Sequence, residues 1–220
     1  FSMGVTSCVG DLYVTPINPN IQTYLYIDGL FNKCYANFAM AGNGGANGDC
    51  DIDGIDGGTS GFVRQIFNAN ELPTDEAICG WGDDGIAGFC YNSYNATNPM
   101  LTGLYARITT GIAYCNQYLA EAGDQDATKL AEIRFLRAYE YFSLMDGWGN
   151  IPFTLQPLTK PERYTRAQVY EWLEKELLEI EPSLSEAKAK KSTDAGYGRV
   201  DKAACWLLLS RLYLNAEVYT

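Results

Sequence analysis

The 220-residue chain contains no histidine. Hydrolases of the Ser-His-Asp and Cys-His types are therefore excluded, together with zinc sites that depend on imidazole. Basic residues are few: 16 Lys+Arg against 27 Asp+Glu leave a formal charge of −11, with no Lys/Arg-rich run. A phosphate backbone is held largely by cationic neutralisation, so no nucleic acid is expected among the partners. No apolar run approaches the roughly 20 residues that a membrane-crossing helix needs, which leaves an anchor as the expected form of membrane attachment. What remains is 47% hydrophobic, enough for one well-cored globular unit.

Seven cysteines are many for a reducing compartment and few for a disulfide scaffold of this length. The first lies in Val5-Thr6-Ser7-Cys8, the pattern of a bacterial lipobox in which an apolar residue and two small ones precede a lipidated cysteine. Residues 1–7 then read as the tail of a signal peptide and residues 8–220 as the mature chain. From the tetrapeptide alone a buried or incidental thiol is the plainer reading. Without Cys8 an even number remains, which permits pairing without requiring it. Cys34, Cys115 and Cys205 fall on helical faces and are expected as buried free thiols.

Apolar spacing predicts five helices. Tyr24, Ile27, Phe31, Cys34, Tyr35 and Phe38 form one stripe that stops at Gly42. Asn98 and Pro99 open a second, whose apolar face runs from Leu101 to Leu119 and ends at Gly123. A third starts near Asp124 or Asp126, carries Leu130, Ile133, Arg137, Tyr141 and Met145, and ends at Gly147 and Gly149. Thr165 and Gln168 form a capping box for the fourth, stopped by Pro182. The fifth begins at Asp201 and is apolar nearly all round, so other elements are expected to cover every side of it. Paired helices with small residues such as Ala131 and Ala138 at their contacts predict an all-α fold of tetratricopeptide-like helix-turn-helix repeats. A solenoid needs a polar capping helix, and none follows the fifth, so the fold is expected to be completed by further sequence or by another chain.

Residues 42–96 differ in composition. They hold 12 of the 22 glycines and nine acids, with Arg64 as the lone base, and so carry −8 of the net charge. So long an irregular stretch inside a compact domain points to function or disorder. Ile52, Ile55, Phe62, Val63, Ile66, Phe67, Trp81, Phe89 and Tyr91 favour order, and a packed non-helical excursion carrying the chemistry is expected.

Three constellations fall within it. Asp49-x-Asp51-x-Asp53-Gly54 opens like a calcium loop, but the closing glutamate position is Ser60, so an acidic turn is the plainer reading. Asp83 with Asp84, or Asp75 with Glu76, offers the two carboxylates of a glycoside hydrolase; the same residues also serve as caps and turn-formers around Pro73 and Gly82. Trp81, Phe89, Tyr91 and Tyr94 alternate with Asp83, Asp84, Asn92, Asn95 and Asn98. Aromatic faces that pack on the C–H face of a pyranose, beside amides and carboxylates for its hydroxyls, make a sugar site. Trp81 and Tyr94 are the candidate stacking platforms and Asp83, Asn92 and Asn95 the hydroxyl partners, whereas Phe89 is expected in the core. No catalytic residue, metal or cofactor is assigned.

Residues 131–153, AEIRFLRAYEYFSLMDGWGNIPF, resemble the SusD/RagB family, whose members carry an E-A-x-x-x-R-A-x-x-Y-F-x-L helix followed by G-x-x-P. Thr74-Asp75-Glu76-Ala77, Tyr105-Ala106-Arg107-Ile108 leading to Cys115-Asn116, and Gly198-Arg199-Val200-Asp201-Lys202-Ala203-Ala204 agree in order. Asp53-Gly54-Ile55-Asp56-Gly57-Gly58 looks like a subset of the same family, which weakens the calcium-loop reading. The resemblance implies a tetratricopeptide-like fold lipidated at Cys8 on the outer-membrane surface. It further implies a protein that binds glycans without cleaving them and works with a TonB-dependent transporter of the SusC kind. Members of that family are longer, so the chain is expected to be the N-terminal portion of such a protein. Glycoside hydrolysis and a pure protein-protein scaffold are the rival functions.

Overall fold

The computed structural model describes residues 26–42, 50–123 and 126–220. Cys8, residues 1–7, Tyr24 and Asp49 lie outside the described residues. The elements in chain order are α1 (Ile27–Ala39), α2 (Phe62–Glu71), α3 (Ile86–Cys90), α4 (Pro99–Glu121), α5 (Ala127–Trp148), the strands β1 (Ile151–Phe153) and β2 (Glu162–Tyr164), then α6 (Arg166–Ile180), α7 (Lys202–Leu214) and α8 (Ala216–Tyr219). Four of the five expected helices begin or end where their chemistry places them. Asn98 Oδ1 accepts from the Met100 amide at 2.9 Å, Asp126 Oδ1 from Thr128 at 2.9 Å, and Asp201 Oδ1 from Ala203 at 3.0 Å. Thr165 and Gln168 close a reciprocal capping box. Each satisfies amide groups that a helix start leaves without partners.

α4 and α5 form an antiparallel hairpin, α1 packs on α4, and α6 packs on α5. One continuous core runs between them, containing Ile108, Ile133, Leu144, Leu173 and Leu177, all at most 3% exposed. Cys34, Cys115 and Cys205 are buried free thiols within it, as their helical positions predict. Arg137 ties three helices together: from α5 its guanidinium donates to Asn116 Oδ1 on α4 at 3.0 Å and to Glu176 on α6 at 3.2 Å. Arg134 grips the same Glu176 with two bonds, at 2.9 and 2.6 Å. Burial alone would raise the Glu176 carboxyl, but the two guanidinium groups outweigh it and hold the carboxyl below its ordinary range. Glu140, also on α5 and fully buried, has no cation bonded to it among the described residues. Its Oε1 accepts from Asn37 at 2.7 Å, its Oε2 has no partner among the described residues, and burial pushes its carboxyl well above the ordinary range. It fits only because residue 111 is glycine: a Cβ there would stand 2.1 Å from Glu140 Oε1.

The structure departs from the expected elements in three places. The excursion is not irregular throughout, since α2 and α3 lie inside it. α2 buries a mixed face, with Phe62 in the core and Ile66 packed against it beside the buried Gln65 and Asn68, while Val63 and Phe67 are 65% and 51% exposed. A short hairpin follows α5, with Ile151 opposite Tyr164 and Phe153 opposite Glu162, and Tyr141 Oη clasps both the amide and the carbonyl of Thr154. Finally, α7 is covered on one side only among the described residues, for Cys205, Leu208, Leu209 and Leu212 are buried and Leu207 and Leu214 are 68% and 86% exposed.

Candidate glycan-binding site

The lone base of the acidic excursion organises the ground around Trp81. Arg64, in the first turn of α2, donates from Nη1 to the Gly58 carbonyl and pairs through Nη2 with the Asp83 carboxylate. Its guanidinium lies over the Trp81 ring at 5.3 Å from the centroid. That stacking holds a cation against the electron-rich face of the indole while Trp81 keeps 69% of its surface open. Arg64, Phe67, Asn68, Ile78, Trp81 and Ile86 line a cleft of about 370 Å³. An open aromatic ring beside an aligned guanidinium and a carboxylate offers one apolar face and several fixed hydrogen-bonding groups to a hydroxylated ligand.

The remaining candidates stand apart from this cleft. Tyr94 is 44% exposed, rests on the buried Phe89 with ring centroids 5.0 Å apart, and borders a second cleft of about 250 Å³ with Tyr139, Trp148, Asp146 and Arg211. Asn92 donates to the Pro73 carbonyl at 3.0 Å and adopts a positive φ of 51°. Asn95 Oδ1 accepts from the Thr97 amide at 2.9 Å, an Asx turn. Both are exposed, but one end of each amide is already engaged in holding the 91–98 turn. Trp81 and Asp83 are therefore brought together through Arg64, whereas Asn92, Tyr94 and Asn95 form a separate segment leading into α4. Arg64 itself was missed among the candidates, although a single base among nine acids was the signal for it.

Asp83, one of the candidate carboxylates, is ion-paired with Arg64. Among the described residues the carboxyl held well above its ordinary range is Glu140, which is sealed between α1, α4 and α5. Of the calcium-like motif, Asp51 is bound to Lys33 and to Arg107 at 2.5 and 2.7 Å, and Ser60 is buried with Arg107, so neither is free to face a cation.

Residues 75–214 match the SusD-like family described as starch-binding and associating with the outer membrane. The chain belongs to this family. Over its whole length it is 40% identical to the starch-binding protein SusD of Bacteroides thetaiotaomicron, and it spans 40% of that protein. Surface glycan-binding protein A from Bacteroides fluxus superposes with a TM-score of 0.64 at 21% identity, over 87% of this chain and 40% of that one. A laminarin-binding SusD-like protein gives 0.63 at 21% identity, over 86% and 40%. At that identity the superpositions speak for the fold, which is the helical tetratricopeptide-like arrangement of the SusD-like family. The resemblance carried by residues 131–153 is thereby established, and those residues form most of α5 and all of β1.

Proposed function

We propose that this SusD-like chain belongs to a cell-surface protein that captures neutral oligosaccharides and hands them to a TonB-dependent transporter of the SusC kind. The observation that carries this reading is the open Trp81 ring with Arg64 aligned above it and Asp83 alongside, in a family whose relative is named for binding starch. Trp81 stacks on a sugar face, and Arg64 and Asp83 meet adjacent hydroxyls as donor and acceptor. Tyr94, with Asn92 and Asn95 on the neighbouring turn, supplies a further contact for a longer chain. The −8 charge of residues 42–96 opposes uronic and sulfated glycans through like-charge repulsion, and leaves neutral ones unaffected. The protein binds without cleaving, as its membership of the SusD-like family implies.

Cys8 is the proposed lipid anchor, with residues 1–7 the remnant of a signal peptide and residues 8–220 the SusD-like portion that follows. Three acyl chains, at about 0.8 kcal/mol per buried CH₂, suffice for stable attachment. An array of neutral, uronic and sulfated oligosaccharides probed with the full-length protein tests the function. Binding to neutral glycans such as maltooligosaccharides or laminarin fragments, with no reducing sugar released, is the expected result; release of sugar or binding confined to charged glycans contradicts it.

A further inference from the structure

We infer that Arg107, deep in the helical core, is a positioning residue for the Trp81 cleft and acts through the turn Gly57–Ser60. This rests on the glycan reading for its functional meaning but on separate geometry for its structure. Arg107 lies on α4, and none of its side chain is exposed. Its Nε donates to Ser60 O at 2.9 Å, Nη2 to Ser60 Oγ at 3.0 Å and Ala41 O at 2.9 Å, and Nη1 to Asp51 Oδ1 at 2.7 Å and Asn37 Oδ1 at 3.2 Å. A guanidinium has five N–H groups. All are used, and three of the five bonds go to Asp51 and Ser60 within the excursion.

The turn that Arg107 grips presents three consecutive carbonyls to three side chains. Gly58 O accepts from Arg64, Thr59 O from Gln65 Nε2 at 2.6 Å, and Ser60 O from Arg107. The turn also lies against Gly103, four residues before Arg107 on α4, where a Cβ would stand 2.6 Å from Thr59 O, closer than real contacts allow. One face of the turn is thus fixed to the core by Arg107 and Gly103, and the other fixes Arg64 over Trp81. Among the described residues the hydrogen bonds of Arg64 go only to Gly58 and Asp83, and Asp83 lies in the irregular stretch between α2 and α3. The Gly57–Ser60 turn is therefore the link between the rigid helical frame and the guanidinium that shapes the cleft. Sites of this kind need their groups held to within about 0.5 Å, and a displaced turn carries Arg64 away from the indole.

The test is made on the full-length protein with Arg107→Lys, Gly103→Ala and Gln65→Met, and with Leu173→Ala as a control that weakens a distant part of the core. Tryptophan emission is recorded for each in the presence of Trp81 and in a Trp81→Phe background, and affinity is measured with maltoheptaose and a laminarin oligosaccharide. Each turn variant that folds is expected to change the emission of Trp81, a change that disappears in the Trp81→Phe background, and to weaken binding about tenfold, the loss of one good contact to a charged group. Leu173→Ala is expected to lower the melting temperature as much and alter neither readout. Folded turn variants with native Trp81 emission, or the same losses in Leu173→Ala, overturn the inference. Should the unaltered protein bind neither sugar, the glycan reading fails, and the Trp81 emission alone decides whether Arg107 positions the cleft.

Discussion

Arg64 holds its guanidinium 5.3 Å from the centroid of the Trp81 ring while its terminal nitrogens reach Gly58 and Asp83. The cation is thus pinned by its hydrogen bonds and leaves the indole largely open to solvent. Replacing Arg64 with Ala is expected to free the Trp81 ring and the Asp83 carboxylate together, weakening neutral-glycan binding about tenfold or more. Because Arg64 and Asp83 are both partly exposed, the melting temperature should move little. A titration of the folded variant that returned the native affinity would exclude Arg64 from the site.

Arg137 serves the frame instead of the ligand. It is buried, shares Glu176 with Arg134, and reaches Asn116, so Arg137→Ala leaves part of a buried carboxylate's pairing unmade. Breaking such a pair costs about 3 kcal/mol, a fall of roughly 2–4 °C in Tm per kcal/mol at this chain length. Glycan affinity per folded molecule should be unchanged. Loss of binding in a stable Arg137→Ala protein would contradict this division of labour.

Glu140 makes stability depend on pH in an unusual direction. Burial holds its folded carboxyl well above the 4.5 of an unperturbed glutamate, against smaller opposing effects of Asn37 and Arg107. The folded state therefore keeps a proton that the unfolded state loses above that value, and stability declines as pH rises from about 4.5 to the folded pKa, by up to about 1.4 kcal/mol per pH unit. Glu140→Gln removes this slope. Melting temperatures of the two proteins should coincide near pH 4 and diverge with rising pH in favour of the glutamine variant; a constant offset at all pH values would show that Glu140 does not titrate in this way.

Asp51, Glu176 and Asp201 govern the acid side. In each, burial raises the carboxyl, but bonded cations, helped at Asp201 by two helix-start amides, bring it below its ordinary range. Depressed groups contribute stability that is present above their unfolded pKa and lost as pH falls through the folded one. Unfolding is expected below about pH 4, and Glu176→Gln should make that acid limb shallower. An unaltered limb in the variant would remove Glu176 from it.

The helical frame was readable because its signals are local. Asn98-Pro99, Thr165 with Gln168, and Asp201 each place a helix start by side-chain chemistry alone, and the α4 and α6 stripes coincide with buried faces. α2 was obscured by the Gly- and Asp-rich sequence around it, although Phe62 and Ile66 recur at helical spacing, and its buried Gln65 and Asn68 serve a turn and a neighbouring side chain. Arg64 was hidden as well. Its partners Gly58 and Asp83 lie six residues before and 19 after it, and only the folded excursion brings them together. Trp81 and Tyr94 were legible as exposed aromatics, but spacing along the chain did not tell that they border different clefts.

Calorimetric titration of the full-length protein and its Trp81→Ala and Tyr94→Ala variants with a neutral oligosaccharide, maltoheptaose or a laminarin fragment, bears most directly on the proposed glycan capture. Binding by the unaltered protein, at least about tenfold weaker in Trp81→Ala and less affected in Tyr94→Ala, is the predicted result, with all three proteins equally folded. Native affinity in a folded Trp81→Ala variant would place the glycan elsewhere on the molecule and contradict the assignment of the Trp81 cleft.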